Sequence, residues 1–195
     1  MRTISKRFLM ASVALAVSLS ACGEKSEPTD AGTKNDAGSA FDAGTAATCN
    51  TIATTGPWAV FPSADGGANT VVQSATGSLK SCTENGKTRV VLAVNLIGAD
   101  GGVSAGRAYG AHVHVANCSA GQAGGHYRND PDAGASSSNE VWLDFTTSAT
   151  GDGAADSTTA FLVRPGQAKA VVIHDHTTDS AGVAGTKLVC VDVPF

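Results

Sequence analysis

Residues 87–98, "KTRVVLAVNLIG", place Val90, Leu92, Val94 and Leu96 at every second position. That period puts the four apolar side chains on one face of an extended strand, and no helix can bury such a pattern on one side. The run is bracketed by Asn85-Gly86 and Asp100-Gly101, and Asp65-Gly66 lies upstream. These dipeptides supply the positive φ that a two-residue hairpin turn needs. Seven further short runs recur along the chain: "PWAVF", "NTVVQSATGSLKSC", "RAYGAHVHV", "EVWLDFTT", "GAADSTTAFLV", "AKAVVIHDH" and "TKLVCVDV". No stretch carries a 3.6-residue apolar stripe. The pattern predicts an all-β, eight-stranded antiparallel sandwich or Greek-key barrel.

The ends of the chain read differently. Residues 1–21 combine Arg2, Lys6 and Arg7 with the apolar run "FLMASVALAV", too short to span a bilayer, and are expected to be an export signal. "LSAC" closes it at Cys22 and resembles a bacterial lipobox, in which the Cys becomes the lipidated first residue. The expectation is a lipoprotein of the cell envelope, held to a membrane through Cys22. Gly23, rather than Asp, follows that Cys and favours the outer membrane, at its periplasmic face or the cell surface. Residues 22–48 repeat Asp-Ala-Gly from Asp30, Asp36 and Asp42 among small polar residues and lack the apolar content for a core, so they are expected to be a disordered tether. Residues 49–195 remain as one domain of 147 residues.

The chain carries a formal charge of −4, which becomes −7 once the three basic residues of the signal are removed. An acidic chain with 5% aromatic residues argues against nucleic acid as a partner. Of five cysteines, four remain beside Cys22, an even number that implies two disulfides in an exported protein. Three pairings are open to them.

All five histidines lie in the second half: His112 and His114 in "HVH", His174 and His176 in "HDH", and His126 in the loop "AGGHYRNDP". In a strand, residues two apart share a face. Clustered neutral imidazoles suit copper and zinc, with copper favoured by affinity. The connection from Cys118 to Asn139 is rich in Gly, Ser and Asp and shows no alternation. Loops of that length in a compact domain tend to be functional or disordered.

Four motifs in order, "GAHVHVANCSAGQAGGHYRNDP", "GDGAAD", "VVIHDHTTD" and "AGTKLVCVDV", resemble the copper/zinc superoxide dismutase family over roughly Trp58 to Val193. The resemblance implies an immunoglobulin-like Greek-key fold and copper-dependent dismutation of superoxide to O2 and H2O2, with copper cycling between Cu(II) and Cu(I). It implies His112, His114, His126 and His174 as the copper ligands, His126 being the one that bridges copper and zinc in the family. It implies a Cys118–Cys190 disulfide, which leaves Cys49 with Cys82. Lys187 stands where the family has an Arg at the mouth of the site, keeping the charge that steers the anionic substrate but losing the fork geometry.

The departures from the family are equally informative. No histidine lies between His126 and Gly153, so the family's zinc site cannot form. Asp144 is adjacent to the position of the family's zinc aspartate but should point to the opposite face, and Glu140 falls where a zinc-binding histidine should be. Cys190 follows His174 by only 16 positions, where the family carries a longer charged loop. This combination resembles the copper-only extracellular dismutases, which argues for copper and against zinc. Catalytic roles then fall to His126, to Lys187, and to Glu140, expected to hydrogen-bond the second nitrogen of His126. His176 is expected at the rim, Arg128 and Asp130 as an ion pair, and Tyr127 and Trp142 as packing. No particular oligomeric state follows. The alternative is a surface copper-binding or copper-buffering protein on the same fold with little turnover, because a fold does not fix an activity.

Overall fold

The computed structural model describes residues 47–54, 58–98, 105–120 and 122–195. The expected signal, Cys22, nearly all of the tether and the Asp100-Gly101 turn lie outside the described residues. The described residues form nine strands: β1 (Thr48–Thr54), β2 (Ala59–Val60), β3 (Ser74–Glu84), β4 (Lys87–Ile97), β5 (Ala108–His114), β6 (Phe145–Thr146), β7 (Asp152–Thr158), β8 (Ala170–His174) and β9 (Lys187–Asp192). They make two antiparallel sheets, ordered β1-β3-β4-β7 and β2-β9-β8-β5-β6.

The expected all-β antiparallel architecture is present, and of the sandwich and the barrel it is the sandwich that forms. Neither sheet closes into a barrel. The reason lies at the seams, where β2 and β6 span only two residues each and cannot ladder around the corner. At one seam β6 packs on β7 through side chains instead: a Cβ built on Gly153 would meet the Phe145 ring at 2.2 Å. The strand count also rises from eight to nine. The addition is β1, "TCNTIAT", which has no clear alternation and takes an edge position against β3 with Cys49 opposite Cys82.

The β3–β4 hairpin turns at Asn85-Gly86 with φ of 48° and 73°, as the dipeptide requires. Val90, Leu92, Val94 and Leu96 of β4 all face the core between the sheets. Crossovers bring β4 beside β7 and β5 beside β8, the non-sequential neighbours of a Greek key.

Strand β5 departs from half-burial. Tyr109, Ala111 and Val113 enter the main core, and the alternate residues His112 and His114 are also fully buried. On the neighbouring β8, Val171 and Ile173 join the main core, while Ala170 and Val172 join a second cluster with Phe61, Ala123 and Cys190. The outer face of β5–β8 is therefore covered, and what covers it is loop rather than sheet.

Candidate metal centre

Register puts three histidines on that covered face. His112 pairs with Val172, His114 with Ala170, and Gly110 with His174, so His174 stands one strand over from the "HVH" pair. The loop after β5 brings in the fourth. It folds back along the strand, with the Val115 amide donating to Gly125 O and the Tyr127 amide to Val113 O, which sets His126 opposite His114. The Cys118–Cys190 disulfide ties the start of this loop to β9. Further along, Trp142 bridges to His112, and the Leu143 amide donates to Ala111 O. The described residues of the connection between Cys118 and Asn139 thus fold back over the histidines and roof them.

The four rings offer ligand nitrogens that all lie within 4.8 Å of one another. Hydrogen bonding fixes which nitrogens these are. His114 Nδ1 is 3.1 Å from Gly124 O, and His174 Nδ1 is 3.1 Å from Gly185 O. A carbonyl only accepts, so both rings carry the proton at Nδ1 and keep the lone pair at Nε2. His126 Nδ1 is 3.0 Å from Glu140 Oε2, which leaves its Nε2 free. His112 is inverted: its Nε2 lies 2.7 Å from the Thr178 hydroxyl. That hydroxyl donates its one proton to Asp144 Oδ1 at 2.6 Å, so it must accept from His112. The lone pair of His112 is then at Nδ1, which is buried and has no hydrogen-bond partner.

Three Nε2 and one Nδ1 therefore converge as acceptors with nothing to donate to them. Two of these, on His114 and His174, face each other at 3.3 Å. With both protons committed to carbonyls, no hydrogen bond can join that pair. Buried acceptors without donors cost on the order of 1–3 kcal/mol each. A metal ion with imidazole arms of about 2 Å satisfies such a set, so the residues fit a bound metal.

Burial acts in the same sense. It pushes His112 down to about 3, His114 to about 2 and His174 to about 4, with repulsion from the neighbouring rings adding to the effect on each. All three are neutral ligands at pH 7. Glu140 is also buried, which opposes its ionisation, yet hydrogen bonds from His126, Trp142 and Arg128 hold its carboxyl down at about 2. It is an anion with three donors: His126 Nδ1, Trp142 Nε1 at 2.9 Å and Arg128 Nε at 3.1 Å.

The remaining site residues fall as follows. Lys187 directs its ammonium onto Gln122 O at 2.8 Å and Gly124 O at 2.6 Å, and burial lowers its pKa. The Gly124 carbonyl it holds is the one that orients His114. His176 lies past the end of β8, 73% exposed and hydrogen-bonded to Asp175, outside the cluster. Arg128 pairs with Glu140, not with Asp130 as expected; Asp130 Oδ1 instead accepts from the Asp132 amide. Trp142 does more than pack, since its indole N–H serves Glu140. Tyr127 is buried, and its hydroxyl accepts the Arg164 amide. Cys49 is bonded to Cys82.

Thr178 is the residue that sequence reasoning missed. It lies two residues past the second "HDH" histidine, with no spacing signal, and reaches His112 only because Gly110 has no side chain. A Cβ there would meet Ala184 Cβ at 2.6 Å and Thr178 Oγ1 at 3.0 Å. Asp144, expected to face away, does so with respect to the cluster but governs it from behind through Thr178. No protein-family model matches the chain, and no curated protein matches it.

Proposed function

We propose that this protein is a copper-dependent superoxide dismutase of the copper-only type, held in the cell envelope through Cys22. The observation that carries the reading is the donor set: four imidazoles converging from β5, β8 and the loop, with no carboxylate or thiolate among them. Imidazole suits copper, and the affinity order of divalent metals favours it over zinc. The nitrogen of His126 that faces zinc in the resembling family faces Glu140 here, so a protein carboxylate occupies that side.

Copper, when bound, supplies a one-electron couple that takes an electron from one superoxide, released as O2, and returns it to a second, released with two protons as H2O2. The protein supplies the rest. His112, His114 and His174 are held in single tautomers by Thr178, Gly124 and Gly185 in turn and serve as fixed neutral donors. His126 alone combines partial exposure with a carboxylate partner. It is the ring placed to take up a proton at Nε2 and give it back, with Glu140 stabilising the imidazolium through Nδ1. The two disulfides fit an oxidising, extracytoplasmic compartment.

The test is titration of the metal-free chain with Cu(II), followed by a superoxide-consumption assay. One tightly bound copper per chain with rapid consumption is expected. Tight copper without consumption leaves the copper-binding or copper-buffering reading, and no copper binding overturns both. Incorporation of labelled fatty acid, lost in Cys22→Ser, tests the anchor.

A further inference from the structure

The cluster is sealed on most sides. His112 and His114 are fully buried and His174 is 3% exposed, whereas the His126 side chain is 18% exposed. His126 opens onto a cleft of about 490 Å³ that it lines together with Arg128, Pro131, Arg164 and Gln167. The sequence leads one to expect Lys187 to supply positive charge, but its ammonium is turned onto two backbone carbonyls.

Charge at the cleft comes from the arginines. Among the described residues Arg128 spends only Nε, on Glu140, and it is 41% exposed, so both its terminal amino groups remain for a ligand. Arg164 is locked in place: Nε donates to Gln167, its two terminal nitrogens donate to Asn129 O and Arg128 O, and the guanidinium lies 5.3 Å from the centre of the Tyr127 ring. Among the described residues no carboxylate pairs with it. The one carboxylate that touches either arginine is Glu140, which is buried and shared with His126 and Trp142. Asp130 and Asp132 flank Pro131, and the Asp130 carboxylate is occupied by the Asp132 amide. The residues that line the cleft thus include two guanidinium groups and no carboxylate, on a chain of net charge −4.

We propose that this cleft is a binding site for a small inorganic anion, with Arg128 as its direct ligand and Arg164 as its fixed field, and that it delivers anions to the metal past His126. Guanidinium forks suit oxyanions, and a cleft lined by charge of one sign raises the local concentration of the anion it attracts. The purpose of the site rests on the metal reading; its existence does not.

The test therefore has two arms. In the first, the metal-free chain is titrated with inorganic phosphate, and the backbone amide resonances of Gly125 and Gln167, which line the cleft, are followed by NMR. A saturable shift is expected. Arg128→Gln should weaken phosphate binding about tenfold, the loss of one charge-assisted hydrogen bond. Arg128→Lys should keep most of the affinity, and Lys80→Gln, which removes one charge from the opposite sheet, should change nothing. A shift linear in phosphate, or a Lys80→Gln effect equal to that of Arg128→Gln, overturns the site. In the second arm, azide is titrated into copper-loaded protein and its charge-transfer band read. Arg128→Gln should raise the azide dissociation constant several-fold. An unchanged constant beside intact phosphate binding overturns the delivery role alone, and failure to load copper at all leaves the first arm standing.

Discussion

The Thr178 hydroxyl lies between His112 Nε2, at 2.7 Å, and Asp144 Oδ1, at 2.6 Å, and this one contact decides which nitrogen of His112 faces the cluster. Asp144 also accepts the Thr178 amide at 2.7 Å, so the carboxylate holds both the backbone and the side chain of the threonine. Thr178→Val should leave the His112 N–H buried without an acceptor. The expected cost is about 1–3 kcal/mol of stability together with about 10–100-fold weaker metal binding. Thr178→Ser should restore most of both. Urea denaturation and competitive metal titration measure them, and a valine variant with wild-type metal affinity would remove the orienting role.

Glu140→Gln keeps the shape but removes the charge that His126, Trp142 and Arg128 share. Metal affinity should fall about tenfold or more, as for other losses of a carboxylate behind a ligand histidine. Superoxide consumption per bound copper should fall as well, most at high pH where protons are scarce. Equal affinity and equal turnover in the two proteins would exclude Glu140 from the site's chemistry.

The pH dependence of the metal-free protein follows from the depressed histidines. An unfolded histidine titrates near pH 6.5, whereas the buried rings stay neutral down to about 4, 3 and 2 for His174, His112 and His114. The unfolded chain therefore binds more protons, and stability falls as pH drops below about 6.5 and keeps falling toward pH 4. Glu140 adds the same sign at lower pH, because its stabilisation is present above its ordinary value of 4.5 and is lost as pH falls toward about 2. Urea midpoints between pH 8 and 4 check this; a midpoint constant from 7 to 4.5 contradicts it.

The two disulfides should differ in consequence. Cys118–Cys190 spans 72 residues and pins the loop that carries His126, whereas Cys49–Cys82 spans 33 and joins an edge strand to its neighbour. Removing either should cost about 2–5 kcal/mol. Loss of metal affinity is expected only for Cys118→Ser with Cys190→Ser. Equal affinity losses in the two double variants would argue against loop anchoring.

Much of the fold was legible because period two and Asn-Gly are local signals. Val90 to Leu96 announce a face, and Asn85-Gly86 announces a turn, whatever the rest of the chain does. The four histidines were legible too, as two H-x-H pairs and a loop residue. What the sequence could not display was what stands behind them. The partners of His112, His114 and His174 are a hydroxyl and two glycine carbonyls, reached through loop paths that no spacing encodes. Arg128 was assigned to Asp130 because they are near in sequence, whereas chain reversal brings Glu140 closer. Sandwich and barrel both stayed open because alternation reports a strand's faces and says nothing about whether two-residue strands can close a seam.

Lys187 has a consequence for the order of events in folding. Its ammonium and the His114 ring share the Gly124 carbonyl, so the loop under the cluster is fastened by the last strand of the chain. Cys190 fastens the same loop from three residues further on. A chain that emerges N-terminus first has "HVH" and His126 long before β9 arrives, but has no means of holding them in place. The four-histidine cluster is therefore complete only once the C-terminus is made, and a chain ending at Ala184 should bind a metal ion no better than an unfolded peptide. That timing keeps a half-made metal site from existing while the chain is still being synthesised.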